Sequence, residues 1–407
     1  MVASKASFTI DANRLSKEVV KLKSTWTYYP QEFVDTENKN RGYLVSRLGE
    51  RLENSQPRTH GSYRVKIKIN EIGEPRLGIM MGPYNPSTTL YQTCNGKLTK
   101  VFSNGMTGSD PKTSIFTMAP AIGFFPYCQE FELIVHTSNY HYHPGNFIAP
   151  LYLGSERFIR ERESAHFNTV YFCIGLFMTA MIFNLSLFLQ RPEDRGSLYL
   201  TLFTLTQAIR YCSTEHLIYR FYPEFSTDKE LLNQQFVTMT TALTALFLTK
   251  YIQTTFPRLI SDKLQSQFTG ISAFFFFVPL IPLTNAYYEL FSGLVGVAVT
   301  GIVGTVLFLF SRYPTQTDSS LRVSFLGLAA LVFSLMFDFI SIVLGWDIFV
   351  SHIGAGLCII LQSQVVGIRF ATNFRLTTQL KGNLEKAHQQ LVEFVANALA
   401  LQQNFLN

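Results

Sequence analysis

NTVYFCIGLFMTAMIFNLSLFLQ, residues 168–190, contains no Asp, Glu, Lys or Arg. As an α-helix this stretch is roughly 35 Å long, enough to cross a hydrocarbon layer of about 30 Å. A helix is the expected form, because lipid offers no partners to backbone N–H and C=O groups. Toward the C-terminus the pattern recurs, with apolar blocks near 198–218, 232–255, 268–288, 290–311, 322–344 and 348–370. Together they predict a seven-helix transmembrane domain over residues 167–372. Only a short polar break, Asn285 to Glu289, parts the fourth and fifth blocks, so a merged or re-entrant pair is the alternative there.

Toward the N-terminus the composition changes. Of 37 Phe, 9 fall in residues 1–166 and 28 in residues 167–407. The chain is 47% hydrophobic and 15% charged, against roughly 25% charged in ordinary soluble domains. This excludes a uniformly soluble enzyme, a disordered chain and a small disulfide scaffold, and it indicates two solvents along one chain. The net charge of +6 is modest and lies beside apolar segments. Membrane topology accounts for it, and no nucleic-acid partner is expected. With the N-terminus outside, the inside segments carry Arg191, Arg195, Lys250, Arg258, Lys263, Arg312, Arg322, Arg369, Arg375, Lys381 and Lys386, and the outside loops only Arg220 and Lys229. That follows the positive-inside rule. Arg157, Arg160 and Arg162 run against it and are assigned to a folded exported domain. The start, MVASKASFTI, lacks the apolar core of a signal peptide. The expectation is that a signal is missing from this start, the alternative being that the first helix exports its own N-terminal domain.

Residues 1–166 have the texture of an all-β sandwich or jelly roll. YLVSRL (43–48), SYRVKIKI (62–69), RLGIMMG (76–82), LYQTC (90–94), KLTKVFS (97–103), FELIVHTS (131–138) and FIAPLYLG (147–154) read as strands. Tyr63, Val65, Ile67 and Ile69 alternate with Arg64, Lys66 and Lys68, which predicts one buried and one wet face. The breaks contain NG, NPS, SDPK and HPGN, which are turn compositions. Residues 11–22 read as one amphipathic helix ahead of the sheet. Cys94 and Cys128 either pair in an oxidising compartment or stay as two buried thiols, and the thiols are the preferred reading.

Residues 373–407 read as a cytoplasmic coiled-coil signalling helix. Leu380, Leu384, Ala387, Leu391, Phe394, Ala398, Leu401 and Phe405 step alternately by four and three. An apolar seam at that spacing predicts a homodimeric coiled coil rather than a helix lying on the membrane. Inside the membrane blocks stand Arg210, Glu215, His216 and Asp338, with His352 at the start of the seventh. Ionisable groups at membrane depth are costly and often functional. Arg210 needs a partner, for which Asp338 is a candidate; Glu215 and His216 are as readily placed at the outer headgroups. Gly293, Gly296, Thr300 and Gly304 share one face of the fifth block, which predicts close helix packing within the bundle, with a dimer face as the alternative.

Several stretches carry a family resemblance. GNFIAPLYLGSERFI (145–159) precedes the first helix, FNLSLFLQRPEDRGSLYLTLFTL (183–205) joins it to the second, and HLIYRFYPE (216–224) follows. TWTYYP (25–30), GSYRVKIKI (61–69), NGK (95–97) and HTSNYHYHPG (136–145) stand in the β part. Together they resemble the bacterial seven-transmembrane receptors with diverse intracellular signalling modules. The resemblance implies a jelly-roll sensor domain similar to carbohydrate-binding folds, and residence in the bacterial inner membrane with the N-terminal domain extracytoplasmic and the C-terminus cytoplasmic. It also implies a downstream signalling module such as a cyclase, diguanylate cyclase, kinase or phosphatase. No motif of these is read before Asn407, and His388, in AHQQL, lacks the acidic neighbour and Pro of a phosphoacceptor.

The expected function is a sensory receptor that binds a small ligand, carbohydrate-like in class, in its ectodomain. Trp26, Tyr29, Tyr140, His141, Tyr142 and His143 are the candidate contacts, since aromatic faces stack on sugar rings and polar tips bond hydroxyls. The cluster at 140–143 equally suits a sensor of pH or metal. No catalytic residue, cofactor or resident metal is expected. The last helix has no Lys for a retinal Schiff base, and no metal-ligand spacing or phosphate loop is present. The alternative is a membrane transporter or channel with an accessory β domain, favoured chiefly by a kink at Pro279 and Pro282.

Overall fold

The computed structural model describes residues 6–23, 25–35, 42–46, 59–70, 75–82, 86–117, 120–141, 151–217, 227–281, 285–312, 319–344 and 350–406. They form two compact units. One comprises 1–175, 206–244 and 269–299, the other 176–205, 245–268 and 300–407.

The β part, within the first unit, consists of two sheets. The larger contains β1 (Ser7–Asp11), β3 (Trp26–Pro30), β4 (Tyr43–Val45), β5 (Thr59–Asn70), β7 (Ser87–Cys94), β8 (Lys97–Asn104) and β10 (Glu130–Asn139). Its order is β4-β3-β5-β10-β7-β8, with β1 parallel to β5. The smaller sheet orders β2 (Val20–Lys21), β11 (Leu151–Ser155), β6 (Arg76–Met81) and β9 (Ala121–Pro126) as β2-β11-β6-β9. β5 is long enough for two partners on one edge: β3 pairs with its first half and β1 with its second. The alternation read in β5 holds, with Tyr63, Val65, Ile67 and Ile69 buried. These join Trp26, Leu90, Leu133 and Val135 against Leu77, Ile79, Met81, Phe125 and Leu153 of the smaller sheet, so the two sheets share one core. Burial of each such side chain contributes about 1.5–3 kcal/mol before entropy is counted.

β7 and β8 join through Asn95 and Gly96, both at positive φ (51° and 77°), the backbone that a two-residue hairpin with right-handed twist requires. Beside it, Cys94 and Cys128 form a disulfide with Cα atoms 6.3 Å apart. The preference for free thiols is therefore corrected. β7 and β10 are neighbours in register, with Phe131 opposite Cys94, and the approach to β10 carries Cys128 to its partner. The single helix expected over 11–22 is also corrected. Only Ala12–Leu15 (α1) is helical, one turn capped by Asp11, whose carboxylate accepts from Asn13 N at 2.9 Å. The chain before it is already strand, and Val20 beyond it pairs with Leu153 of β11.

Helices follow: α2 (Glu156–Gln190), α3 (Arg195–Thr214), α4 (Thr227–Thr255), α5 (Asp262–Phe277), α6 (Asn285–Arg312), α7 (Ser319–Leu344) and α8 (Ser351–Leu406). The expected boundaries at 166/167 and 372/373 fall inside α2 and α8, so neither is a break in the chain. Among the described residues four helical segments are long and apolar enough to cross a membrane: Glu156–Gln190, Gly293–Arg312, Ser319–Asp338 and Ser351–Val395. α3 and α4 are diluted by threonines that serve themselves. Thr201, Thr204, Thr238 and Thr244 each donate to the carbonyl four residues back, which removes most of the cost of a hydroxyl in lipid.

At Pro279 the fourth block does not kink. α5 ends at Phe277 and passes into a 3-10 turn, Val278–Leu280, and Gln235 Nε2 donates to Pro279 O at 2.9 Å. Pro lacks the N–H that would continue the helix. Pro282 lies outside the described residues. The within-bundle packing expected of the fifth block is corrected too: among the described residues a Cβ at Gly293, Gly296 or Gly304 would meet nothing within 4 Å, which leaves the dimer-face alternative untouched.

Within the second unit, Asn184 of α2 donates to Ser363 Oγ at 2.9 Å and Gln362 exchanges bonds with Ser324 of α7. Gly354 lets α8 approach α7 so closely that a Cβ there would stand 1.9 Å from Ser334 Oγ. Asp338 accepts from Val350 N at 2.6 Å and Ser351 N at 3.1 Å. It thereby caps the first turn of α8, whose N–H groups have no intrahelical acceptor. In the first unit, Arg210 Nε donates to Gln207 Oε1 at 3.1 Å, one turn back on its own helix.

Candidate functional site

Strand alternation decides which side chains leave the core. On β10 the core takes Phe131, Leu133 and Val135, so Glu132, Ile134, His136 and Ser138 face outward. His60, Ser62 and Arg64 do so on β5, and Tyr91 on β7. Register then sets Ser62 opposite His136, Tyr91 opposite Ile134 and Tyr29 opposite Ser62. Sequence-distant polar and aromatic groups thus meet on one outer face.

A strap crosses that face. β3 ends at Pro30, Gln31 turns the chain at φ 58°, and its N–H donates to His60 O at 2.8 Å. Ser62 Oγ then donates to Glu32 O at 2.7 Å and accepts from Val34 N at 3.1 Å. His136 Nε2 bonds Val34 O at 2.8 Å. The strap sets the Phe33 ring between two imidazoles, with centroids 4.9 Å from His60 and 5.0 Å from His136. Tyr91 flanks His136 at 4.8 Å, and His60 Nδ1 lies 2.9 Å from the Tyr140 hydroxyl. Tyr140 donates in turn to Ser109 O.

The result is a half-buried ring ladder, Tyr140–His60–Phe33–His136–Tyr91. Burial pushes the His136 pKa down, outweighing its bond to Val34 O and the charge of Asp35, and favours the neutral ring. Beside the ladder Arg64 and Glu132 form a mostly buried ion pair, Nε to carboxylate 2.9 Å. The face offers flat rings with polar edges, suited to stacking and hydrogen bonding. Among the described residues no group of three His, Cys, Asp or Glu is placed to hold a metal.

The residues singled out from sequence are placed as follows. Trp26 lies in the inter-sheet core at 0% exposure, a correction that follows from β3 turning Trp26 and Tyr28 inward. Tyr29 is on the outer face but buried under the strap with Val34 and Ile134. Tyr140 ends the ladder, and His141 Nε2 bonds Pro111 O at 2.9 Å. Tyr142 and His143 lie outside the described residues. Phe33, His60, Tyr91 and His136 were missed. The parity of SYRVKIKI and FELIVHTS puts His60 and His136 on the wet face, but only pairing brings them together.

The same domain joins the first membrane helix without a linker: β11 ends at Ser155 and α2 begins at Glu156. Ser155 Oγ accepts from Phe158 N at 3.4 Å, and Ile159 is fully buried over Gly78 and Gly154, which are paired in register. Arg160 stacks on Phe124 at 4.2 Å and Arg162 on Tyr152 at 4.5 Å. Glu156 bonds Arg160 and Arg76. One further turn on, His166 Nε2 stands 3.1 Å from the Glu215 carboxylate just beyond α3, while His216 is buried at φ 53°.

No curated protein matches the chain. Among solved structures, that of an FMN-binding beta-glucuronidase from Facaelibacterium prausnitzii L2-6 is similar over 33% of this chain, with 15% identity and a TM-score of 0.22. The alignment spans 22% of that enzyme's chain. Residues 168–369 match the family described as 7TM diverse intracellular signalling. This segment holds the apolar stretch of α2, all of α3 to α7 and the first part of α8, and through it the chain belongs to the seven-transmembrane receptor family with diverse intracellular signalling.

Proposed function

We propose that this protein is a sensory receptor whose N-terminal β domain, a jelly-roll-like sandwich, binds a small extracytoplasmic ligand on the outer face of its larger sheet. Ligand binding resets the packing of seven membrane helices, and a dimeric coiled coil carries the change to a cytoplasmic output module. The protein sits in the bacterial inner membrane with the β domain outside and the end of α8 inside. One observation carries the reading: strand β11 becomes helix α2 with no residue between them, and Ile159, Arg160 and Arg162 lock that helix onto the smaller sheet. A change in the sheet therefore reaches the membrane helix without passing through a flexible link. Two packings separated by a few kcal/mol are all such a device requires.

At the other end α8 runs unbroken for 56 residues, about 84 Å. Leu380, Leu384, Leu391 and Phe394 on its seam are 59–72% exposed in the single chain, and Ala387 is exposed with them. The side chains of Ala398, Leu401 and Phe405 lie outside the described residues. A second copy of the same helix would cover this seam by knobs-into-holes packing.

Cross-linking in membranes tests the reading, in a chain whose free Cys173, Cys212 and Cys358 are replaced by Ala. Leu384→Cys and Leu391→Cys should form intermolecular disulfides efficiently and Gln389→Cys poorly, and Leu380→Lys should abolish them. Equal cross-linking at all three positions would remove the coiled coil from the proposal. Solute flux through liposomes carrying the chain, unaffected by Leu380→Lys, would favour the transporter instead.

A further inference from the structure

At the end of β10 the two faces of the strand are treated differently. Outward, Ser138 Oγ donates to Gly108 O at 2.7 Å and accepts from Gly108 N at 2.9 Å, and Tyr140 is bonded to His60 and Ser109. Inward, Thr137 Oγ1 and both ends of the Asn139 carboxamide have no hydrogen-bond partner among the described residues, although these residues are only 8% and 3% exposed. Among the described residues one side of the strand end is satisfied and the other is not.

Register identifies what surrounds the two residues. Thr137 is opposite Gly61 on β5 and Thr88 on β7, Asn139 is opposite Thr59, and Thr88 is opposite Asn104 on β8. The inward layer at this end of the larger sheet is thus built of Thr, Asn and Gly, whereas one row deeper it is Tyr63, Val135 and Leu90. Tyr28 Oη lies 3.0 Å from where a Cβ on Gly61 would stand, and so borders the same layer. Trp26 Nε1 and Gln92 Nε2 also lack partners among the described residues. They differ in lying at opposite ends of a row, with the apolar Val65 and Leu133 between them, and do not converge. Asn139 and Thr137 are two residues apart on one strand, among further neutral hydroxyl and amide groups.

Buried donors and acceptors in native proteins are paired with protein, water or ligand. A carboxamide offers two donors and an acceptor, and a hydroxyl offers both roles. A neutral molecule with neighbouring hydroxyls matches that set, and an ion does not, because the described residues of the layer carry no charge. We infer that the inter-sheet layer at the end of β10 is a second ligand subsite, in which Asn139 and Thr137 grip a neutral polyhydroxylated molecule of the sugar or polyol class. This rests on the reading of the β domain as a ligand sensor, and places the polar grip inside the sandwich, separate from the ring ladder on its outer face.

The test uses the full chain in nanodiscs with glucose, maltose and myo-inositol as probes, each followed by saturation-transfer NMR and by the shift in melting temperature. At least one probe should bind, with Asn139→Leu weakening it tenfold or more and Thr137→Val several-fold, while Lys100→Ala, at an exposed position of β8 outside both sites, leaves the grip in place. If Asn139→Leu does not fold, Thr137→Val decides alone. Binding lost in Tyr91→Ala but unchanged in Thr137→Val would overturn the inference and leave the receptor reading standing. No binding of any probe to the unaltered chain, or a high-resolution structure showing only water against Asn139, would also overturn it. The cross-linking of the α8 seam is unaffected by any of these outcomes.

Discussion

Ile159 fills the space that a side chain on Gly78 would need. A Cβ there would stand 2.9 Å from Ile159 Cγ1 and 3.0 Å from the Phe124 ring, whereas at Gly154 the same isoleucine atom is 3.7 Å away. Two glycines paired on adjacent strands make a hollow, and the first buried residue of α2 occupies it. Gly78→Ala should therefore destabilise the full chain by about 1–3 kcal/mol through overpacking, and Gly154→Ala by less than about 0.5 kcal/mol. Thermal unfolding of the two variants, side by side, checks the difference; equal effects would mean that Ile159 does not define the joint.

The Cys94–Cys128 bond closes a separation of 34 residues. By the chain-entropy relation, a loop of that size stabilises by about 3–4 kcal/mol. The Cys94→Ser, Cys128→Ser double variant should lose about that much, read from denaturant unfolding with the buried Trp26 as fluorophore. An unchanged midpoint would show that the reduced chain keeps its β7–β10 pairing without the bond.

Acid should weaken the ring ladder. His136 is held below the usual 6.5 by burial, so the unfolded chain takes up a proton at a pH where the folded chain does not. Wherever the unfolded state binds more protons, stability rises with pH. The contribution is thus present above about pH 6.5 and declines as pH falls through that value toward the folded-state pKa. The melting temperature of the β domain should drop between pH 7.5 and 5.5, with a shallower slope in His136→Gln, which keeps a donor toward Val34 O. Identical slopes in the two chains would assign the acid sensitivity elsewhere.

Asp338 ties the end of α7 to the beginning of α8 through two backbone donors. Asp338→Ala should cost about 1–2 kcal/mol, the range of a lost helix cap. Asp338→Asn should cost less, because a carboxamide oxygen still accepts. The local readout is hydrogen exchange at Val350 and Ser351, which should speed up in Asp338→Ala while the seam around Leu391 keeps its protection.

Much of the architecture is legible in local periodicity. Residues 63–69 alternate and are strand, 168–190 carry no charge and are helix, and the Asn95–Gly96 pair makes its hairpin. The candidate site is less legible. Its rings come from residues 33, 60, 91, 136 and 140, and nothing in any one stretch says that these positions meet. Trp26 shows the limit most plainly: as a residue type it suits ligand stacking, yet its parity on β3 directs it into the core. The short helix α1 fails as a longer prediction for a related reason, since Val20 is claimed by pairing with Leu153, a partner more than a hundred residues away.

What the sequence determined by itself is the division between a water-facing β part and an apolar helical part, because burial in lipid and alternation on a strand both leave their period in consecutive residues. It also determined the heptad of α8. Tertiary structure decided which faces became sites. It brought Phe33 between His60 and His136, joined Cys94 to Cys128, seated Ile159 over Gly78, and left Asn139 buried without a partner among the described residues. These depend on which strand lies beside which and in what register, and that is settled by the competition of whole sheets for a common core rather than by any local pattern.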